Sequence, residues 1–316
     1  MGTIHGHLPL RHNIIIIMKK MKRFYSFLWL TACLLTITSC QNDNENVVSE
    51  TVQLSFSLKP IGLDGLEPML DELTRTSTTI NATPKYLLVL DVTGEGVVAQ
   101  NTIERSLNSV DDLSSPIEMS LTYGSHTLYF LLSVNQYDEY DADKLTVTWG
   151  EKAKLNYVWA LKKELNVVQG IEKSNEVKLD LAVAQIRLKC KDALPGNIGN
   201  VVTSSDGLCW TIDLPTMQGI PSTISHITSA SANAGKLDQF FTSYTFIPST
   251  ERIVAITYTA YDNSATPQVI EAKTISNVPV KKAYITEYSG TFFSDVTVGF
   301  SLSMQDTWVD TIEGTY

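Results

Sequence analysis

Apolar and polar residues alternate in short segments along most of this chain, and this period of two limits the folds that it can adopt. In the first such segment the apolar residues are Val52, Leu54, Phe56 and Leu58. The pattern predicts a β-strand with one buried face. Clusters of Gly, Pro, Asn, Asp and Ser separate the segments, which is typical of β-sandwiches rather than α/β folds. Further strands are predicted at residues 86–92, 126–134, 144–149, 176–183, 185–190, 208–214, 240–247, 252–261, 269–275 and 296–304.

One segment has the spacing of a helix rather than of a strand. Its apolar residues fall at i, i+3, i+4 and i+10, with lysine and glutamate between them, and they are Leu155, Val158, Trp159 and Leu165. We expect a short helix here that packs across one sandwich. A second, weaker helical turn is predicted at residues 66–73. The predicted fold class is therefore mainly all-β, with one short inserted helix.

The apolar phase reverses near the middle of the chain. Apolar residues occupy odd positions from Val177 to Val183 and even positions from Ile186 to Cys190. Because a slip of one residue turns every side chain to the other face, the break near Ala184 requires a bulge or a passage between two sheets. We place a domain boundary at this break. The predicted domains are an N-terminal β-sandwich at residues 51–184 and a C-terminal β-sandwich at residues 185–316.

The first 39 residues have the order of a secretory leader. A basic region contains Lys19, Lys20, Lys22 and Arg23, and an uncharged run follows from Phe24 to Ile37. A helix over this run rises about 21 Å, short of the roughly 30 Å hydrocarbon core, so we expect removal rather than a membrane span. Residues 1–17 precede more natural starts at Met18 or Met21 and are interpreted as a mis-assigned start.

The leader ends in a motif that predicts lipidation. Ile37, Thr38, Ser39 and Cys40 have the aliphatic, small, small, cysteine order of a bacterial lipobox. In this interpretation the thiol of Cys40 receives diacylglycerol and becomes the new N-terminus, which makes membrane lipid a partner. Residues 40–50 then form a polar tether between the lipid and the folded body. The alternative is a plain secretory signal with an incidental cysteine.

Length and charge bound the function further. The mature chain from Cys40 has 316 − 39 = 277 residues, enough for two domains of roughly 100 to 200 residues each. The leader contains 5 of the 24 Lys and Arg residues and no acidic residue, so the mature charge is 19 − 34 = −15. Nucleic acids and anionic lipids bind positive surfaces, so this acidity argues against both as partners.

The sequence contains no pattern that predicts catalysis. His126 and His226 lie 100 residues apart, and neither has the spacing of a metal ligand. A nucleophile elbow and a phosphate-binding loop are both missing from the sequence. The acidic run at residues 137–143 lacks the glycine and distal glutamate of a calcium-binding EF-hand and is interpreted as a solvated loop. We therefore predict no enzyme activity, no catalytic residue, no cofactor and no metal site.

The sequence leaves open whether Cys190 and Cys209 form a disulfide. An exported chain meets an oxidising compartment, in which these thiols could pair. However, Cys190 shares its phase with Leu188, whereas Cys209 points opposite to Leu208 and Trp210. One cysteine is then expected to face inward and the other outward, which favours the alternative of two unpaired small side chains.

The stretch L-T-R-T-S-T-T at residues 73–79 places Arg75 among small hydroxyl residues, after the first strand. An exposed arginine in such a loop is accessible to an Arg-specific protease, and a cut there separates the first strand from the body. Its four apolar side chains contribute roughly 6 to 12 kcal/mol when buried. The emptied groove could accept a strand from a neighbouring subunit, and head-to-tail repetition gives a filament. The alternative is that Arg75 is only a loop arginine.

Several motifs together resemble a known family. They are the lipobox, the early strand, the T-R-T loop, A-V-A-Q-I-R-L at residues 182–188, N-V-P-V-K-K-A-Y-I-T-E-Y-S-G-T-F-F at residues 277–293, and Trp308. In combination they resemble the fimbrillin-type pilins, which are lipoprotein-sorted subunits of type V pili. The resemblance implies two tandem transthyretin-like β-sandwich domains, transport to the outer membrane, Arg-specific removal of the first strand and polymerisation by strand exchange.

The resemblance also implies roles for individual residues. Cys40 matches the acylated cysteine, and Arg75 with Thr76 matches the processing point. The displaced strand corresponds to the alternating residues of the first strand. The donor strand corresponds to residues 296–304, or to the tail that ends at Tyr316. The apolar residues of that candidate donor are Val296, Val298, Phe300, Leu302 and Met304.

The predicted function is a structural subunit of a cell-surface fimbria that supports adhesion. It is expected at the outer membrane and then in the extracellular fimbria, with other fimbrial subunits and an unidentified surface ligand as partners. One alternative is an uncut, lipid-anchored anchor subunit or a tip subunit. Another is a glycan-binding surface lipoprotein, which requires an exposed aromatic platform. The candidates for that platform are Trp149, Trp159 and Trp210.

Overall fold

The computed structural model describes residues 50–61, 82–93, 99–150, 154–293, 301–306 and 311–314. Strands dominate these residues, and the predicted all-β class is confirmed. The first nine strands are β1 (Thr51–Pro60), β2 (Tyr86–Thr93), β3 (Ala99–Ser106), β4 (Ile117–Thr122), β5 (Gly124–Ser133), β6 (Glu139–Asp141), β7 (Thr146–Thr148), β8 (Val158–Val167) and β9 (Ser174–Leu181). The other nine are β10 (Val183–Cys190), β11 (Ile198–Asp213), β12 (Gln218–Ser229), β13 (Gln239–Phe246), β14 (Arg252–Asp262), β15 (Val269–Pro279), β16 (Tyr284–Gly290), β17 (Ser301–Asp306) and β18 (Thr311–Gly314).

The strands form three sheets. The first has seven strands in the order β3–β2–β5–β8–β9–β1–β4. The second has five strands in the order β13–β10–β16–β17–β18. The third has the order β15–β14–β11–β7–β6, and β12 also pairs with β11. The hairpin β6–β7 therefore lies in a sheet with β11, although it stands between β5 and β8 in the sequence.

The predicted reversal of the apolar phase corresponds to a passage between two sheets. Val177 and Leu179 in β9 are buried, as are Ile186 and Leu188 in β10, which lies in the second sheet. Ala182 stands between the two strands, and its N–H donates to the carbonyl of Val158 at 2.7 Å. The passage is confirmed and lies two residues before the predicted position. The division into domains at this point remains a prediction.

The prediction of a helix around Trp159 is wrong. This segment is the strand β8, which pairs antiparallel with β5 along its length. Val158, Trp159 and Ala160 are all buried, because β8 is an inner strand covered on both faces at this end. The weaker helical turn predicted at residues 66–73 lies outside the described residues. Within the described part of the chain, the helices are the short 3-10 segments Val110–Ser114 and Ser231–Asn233.

Among the residues that the structure describes, no helix has both the length and the apolar character needed to cross a bilayer.

A buried ion pair connects β2 and β5 in the first sheet. The Nδ1 atom of His126 lies 2.7 Å from the carboxylate of Asp91, and both side chains are almost fully buried. The Nε2 atom of His126 lies 2.8 Å from the carbonyl oxygen of Thr122. Asn101 donates to the second carboxylate oxygen at 3.0 Å, so both buried side chains have hydrogen-bond partners.

Candidate functional site

The strand β1 lies inside the first sheet and is paired on both edges. It runs antiparallel to β4, where Leu54 is opposite Met119 and Phe56 is opposite Ile117. On the other edge it runs parallel to β9, with Leu58 opposite Val177. β1 thus pairs with β4 along residues 51–56 and with β9 along residues 55–60, and its removal would leave an open edge on each of these strands.

One face of β1 is buried, as predicted. Leu54 and Phe56 are 0% exposed, Leu58 is 5% exposed, and Val52 is half-buried at the end of the strand. The ring of Phe56 lies 5.6 Å from that of Phe130, measured between centroids. Three fully buried apolar side chains contribute roughly 5 to 9 kcal/mol of hydrophobic stabilisation. This is comparable with the net stability of a whole domain, about 5 to 15 kcal/mol.

Polar contacts on the outer face of β1 add little to the stabilisation that its buried side chains provide. Gln53 accepts a hydrogen bond from Ser120, and Lys59 forms an exposed ion pair with Glu176 at 2.7 Å. The hydrogen bond from Lys59 lowers the pKa of the Glu176 carboxyl group, but solvent and salt screen such a pair. The strand is therefore held mainly by its apolar face and its backbone pairing.

The structure describes the chain up to Ile61 and again from Ala82. The N–H of Ile61 donates to Leu179 at 2.8 Å, and its carbonyl accepts the indole N–H of Trp159 at 3.0 Å. The predicted processing residues Arg75 and Thr76 lie between these points, outside the described residues. The predicted lipidation residue Cys40 also lies outside them. By sequence alone, a cut at Arg75 separates β1 from everything that follows.

The candidate donor segment is described in part. Val296, Val298 and Phe300 lie outside the described residues, whereas Leu302 is half-buried in β17, and Met304 also belongs to that strand. β17 pairs antiparallel with β16, and β18 pairs with β17 at the edge of the second sheet. The described end of the predicted strand, from Ser301, is thus a strand, and it pairs within its own chain.

The half-buried carboxylate of Asp192 fixes the chain just before this segment. Asp192 accepts the backbone N–H groups of Phe292 at 2.8 Å and Phe293 at 2.6 Å, and the thiol of Cys190 donates to it at 2.9 Å. Burial opposes the charge, but these hydrogen bonds hold the pKa of Asp192 below its usual value. Phe292 is fully buried. The chain is therefore anchored up to residue 293.

Cys190 and Cys209 are free thiols. Both side chains are 0% exposed, so the prediction that Cys209 faces outward is wrong. The reason is that Cys209 is covered by Gly219 in β12, whose Cα would carry a Cβ within 3.0 Å of the Cys209 sulfur. Burial raises the pKa of Cys209 to about 11 and raises that of Cys190 further, so both remain protonated and weakly reactive.

The three tryptophans proposed as a glycan platform are buried. Trp149 is 1%, Trp159 is 0% and Trp210 is 8% exposed. Each indole N–H donates to a backbone carbonyl, that of Asn135, Ile61 and Tyr244 respectively. Their rings fill the interior, so these residues do not form an exposed stacking surface.

His226 is a buried histidine whose charge is disfavoured. Its ring lies 5.7 Å from that of Trp210, and its Nδ1 atom has no hydrogen-bond partner. Burial, together with the nearby positive charge of Lys154, lowers the pKa of His226 from 6.5 to about 4. The unfolded chain therefore binds more protons than the folded chain between these two pH values.

This shift predicts a stability that depends on pH. The contribution is complete above about pH 6.5 and is lost as pH falls towards 4, at a cost of up to about 3 kcal/mol. Urea unfolding at pH 7 and pH 4.5 should show a larger loss for the wild type than for His226→Gln, which removes the titrating group. An equal loss in the two proteins would contradict the prediction.

A cleft that no sequence motif predicted lies beside β2. Two adjoining cavities of about 600 Å³ and 220 Å³ share the residues Tyr86, Gln136 and Tyr137. We call this feature the tyrosine cleft. Its other lining residues are Lys85, Leu87, Glu104, Arg105, Ser106, Val134, Asn135, Asp138 and Lys154. Tyr137 belongs to the acidic run that was interpreted as a solvated loop, and Tyr86 lies distant in sequence, so no motif joined them.

The acidic run has a structural role in the described residues. Asp141 accepts the N–H groups of Asp143 at 3.0 Å and Lys144 at 3.1 Å, and it pairs with the Lys144 side chain at 2.7 Å. These contacts shape the turn between β6 and β7. Among the described residues, no group of three or more His, Cys, Asp or Glu side chains could hold a metal ion.

Comparison with known proteins gave structural neighbours only. No family model matches the chain, and no curated protein sequence does. The chain is similar to a candidate adhesin from Bacteroides thetaiotaomicron, with 9% identity, coverage of 83% of this chain and 99% of that chain, and a TM-score of 0.49. It is similar to a fimbrial assembly protein from Parabacteroides distasonis, with 11% identity, coverage of 84% and 99%, and a TM-score of 0.44.

A third structural neighbour is also a fimbrial protein. This is the fimbrial anchor protein Mfa2 from Porphyromonas gingivalis, with 8% identity, coverage of 83% of this chain and 100% of that chain, and a TM-score of 0.46. The similarity of this chain to these three proteins is one of fold alone.

Proposed function

We propose that this chain is a structural subunit of a cell-surface fimbria that supports adhesion. It is exported as a lipoprotein through Cys40, reaches the outer membrane, and is processed between Arg75 and Thr76. It then joins other fimbrial subunits by β-strand donation. The observation that carries the proposal is the position of β1, an inner strand with a buried apolar face that precedes Arg75 in the sequence, so that a cut there separates it from the rest of the chain.

The slot left by β1 would require a strand with defined chemistry. The incoming strand must pair antiparallel with β4 and parallel with β9, and it must place apolar side chains at the positions of Leu54, Phe56 and Leu58. A segment with another phase would turn its apolar side chains to solvent. The slot is therefore selective for a strand with the alternation of β1.

The chain itself contains such a segment near its C-terminus. Residues 51–60 read T-V-Q-L-S-F-S-L-K-P, and residues 295–304 read D-V-T-V-G-F-S-L-S-M. Aligned without gaps, the two segments share F-S-L, with Phe300 at the position of Phe56 and Leu302 at that of Leu58. This correspondence supports donation of residues 296–304 by a neighbouring copy. It also supports the register of that donation.

The aligned segments differ on the polar face in a way that the slot tolerates. Ser303 stands at the position of Lys59, so the exposed ion pair with Glu176 would be lost. Such an exposed pair contributes little, about 0 to 1 kcal/mol. The apolar face, which dominates the energetics of β1, would be preserved.

Treatment of the purified chain with an Arg-specific protease tests the proposal. We expect cleavage after Arg75, followed by a ladder of heat-stable oligomers on a gel. Arg75→Lys keeps the charge but removes the cleavage site, so it should remain monomeric. Phe300→Asp should be cleaved normally and yet form no ladder, because a charge would enter the site of Phe56. Clean cleavage at Arg75 that leaves only monomers would overturn the proposal.

N-terminal sequencing of surface material separates the roles within a fimbria. Thr76 as the first residue indicates a processed, polymerising subunit. An acylated Cys40 at the N-terminus indicates an anchor that keeps its lipid and its first strand, and it would overturn the proposed processing.

A further inference from the structure

The tyrosine cleft has the dimensions of a ligand site. Its larger cavity of about 600 Å³ falls within the range of roughly 300 to 1,000 Å³ that is usual for small-molecule sites. The cleft lies where β2 begins, beside the end of β3 and the chain that follows β5. Strand pairing fixes the backbone at this end of the cleft, because Tyr86 is opposite both Ser106 in β3 and Ser133 in β5.

Two tyrosine rings form apolar walls in an otherwise polar cleft. Tyr86 and Tyr137 are each half-buried, so one part of each ring packs on the protein and the rest lines the cleft. The ring of Tyr137 meets Trp149 edge-on, with 6.3 Å between the centroids. Burial and a hydrogen bond to Glu104 raise the pKa of Tyr137, so its hydroxyl stays neutral. Half-buried tyrosines of this kind offer flat faces with a polar tip.

Polar side chains around the rings are held in place by hydrogen bonds. The side-chain amide of Asn135 donates to the carbonyl of Lys154 at 2.8 Å. The Nζ atom of Lys154 donates to the carbonyl of Ile227 at 2.7 Å. The backbone N–H of Asp138 donates to Thr148 at 2.8 Å. The cleft is therefore preorganised, which lowers the entropic cost of binding a ligand.

The cleft is more positive than the rest of the protein. Its cations are Lys85, Arg105 and Lys154, and its carboxylates are Glu104 and Asp138. Glu104 already accepts a hydrogen bond from Tyr137, so part of its charge is engaged. The complete chain has a formal charge of −10. A local excess of cations on an acidic protein favours a ligand that carries negative charge.

We propose that the tyrosine cleft binds an acidic oligosaccharide. The apolar faces of its pyranose rings would rest on Tyr86 and Tyr137, and its carboxylate groups would pair with the lysine and arginine side chains. Hydroxyl groups of the sugar suit the amides of Asn135 and Gln136, which both donate and accept hydrogen bonds. This inference goes beyond the fimbrial role and requires no assembly, since every lining residue belongs to one chain.

Calorimetric titration of the intact, uncleaved chain tests the inference. The probes are tri-galacturonate and the same trisaccharide with its carboxylates methyl-esterified. We expect the acidic form to bind and the ester, which keeps the rings but loses the charge, to bind at least about tenfold more weakly. Lys85→Gln and Tyr86→Ala should each weaken binding of tri-galacturonate by about tenfold, through loss of a charged hydrogen bond and of a ring face.

Matched variants outside the cleft serve as controls. Tyr123→Ala removes a tyrosine that is 43% exposed beyond the end of β4, and Lys178→Gln removes an exposed lysine of β9. Both should bind tri-galacturonate as the wild type does. Lys85 is exposed, so its variant should fold even if Tyr86→Ala does not. Absence of binding by the folded wild type, equal binding of the ester, or unchanged binding by Lys85→Gln would each overturn the inference. None of these results bears on protease-triggered oligomerisation.

Discussion

Substitution of Phe56 by alanine in β1 is expected to lower the free energy of unfolding by about 3 to 5 kcal/mol. Phe56 is fully buried and packs against Phe130, and the ammonium group of Lys163 lies 5.9 Å from its ring centroid. Truncation removes the largest side chain from the buried face of β1 and leaves a cavity in the first sheet. Urea denaturation monitored by tryptophan fluorescence measures the loss.

The neighbouring residue provides the control for this prediction. Ser57 follows Phe56 on the opposite face of β1 and is half-buried, so Ser57→Ala should change stability by less than about 1 kcal/mol. The same two variants, Phe56→Ala and Ser57→Ala, also test how firmly β1 is held after cleavage at Arg75. The Phe56→Ala strand should dissociate faster from the cut protein than the wild-type strand, because its apolar face is weaker. A loss below about 1 kcal/mol for Phe56→Ala would show that β1 is not held by this face.

Substitution of Asp91 by alanine is expected to be comparably destabilising, by about 3 to 5 kcal/mol. The change removes the carboxylate that lies 2.7 Å from His126 and leaves a buried ring nitrogen without its partner. The side chain of Asn101 also loses its acceptor. Thermal unfolding at neutral pH measures the effect.

A double substitution distinguishes two causes of this loss of stability, the broken contact between Asp91 and His126 and the loss of packing. Replacement of both members by apolar residues, as in Asp91→Leu with His126→Leu, leaves neither member of the pair unpartnered and should restore most of the lost stability. If the double variant is as unstable as the sum of the single variants, the ion pair does not account for the loss.

Much of the sheet structure followed from sequence periodicity, for identifiable reasons. β1 has one buried face, so its alternation was visible, and the phase change near Ala182 was visible because both flanking strands alternate. β8 was misassigned because Val158, Trp159 and Ala160 are buried consecutively, which also fits the apolar spacing of a helix. β3 was missed because most of its side chains are exposed and no alternation results.

The two candidate sites also differ in how far the sequence alone could predict them. The β1 slot was predictable because its chemistry is local, in four alternating side chains of one segment. The tyrosine cleft was not, because Tyr86 and Tyr137 meet only through the pairing of β2 with β5 and the path of the chain after β5. Likewise, the burial of Cys209 depends on the close approach of Gly219 from a separate strand.

The hairpin β6–β7 determines how the chain can be divided. Thr146, Val147 and Thr148 pair with Asp213, Ile212 and Thr211 in β11, so residues from the first half of the sequence complete a sheet of the second half. A fragment that starts at residue 185 would expose that part of β11 and the buried side of Ile212. Such a fragment should aggregate through the bare strand, whereas adding a synthetic peptide of residues 137–150 should keep it in solution.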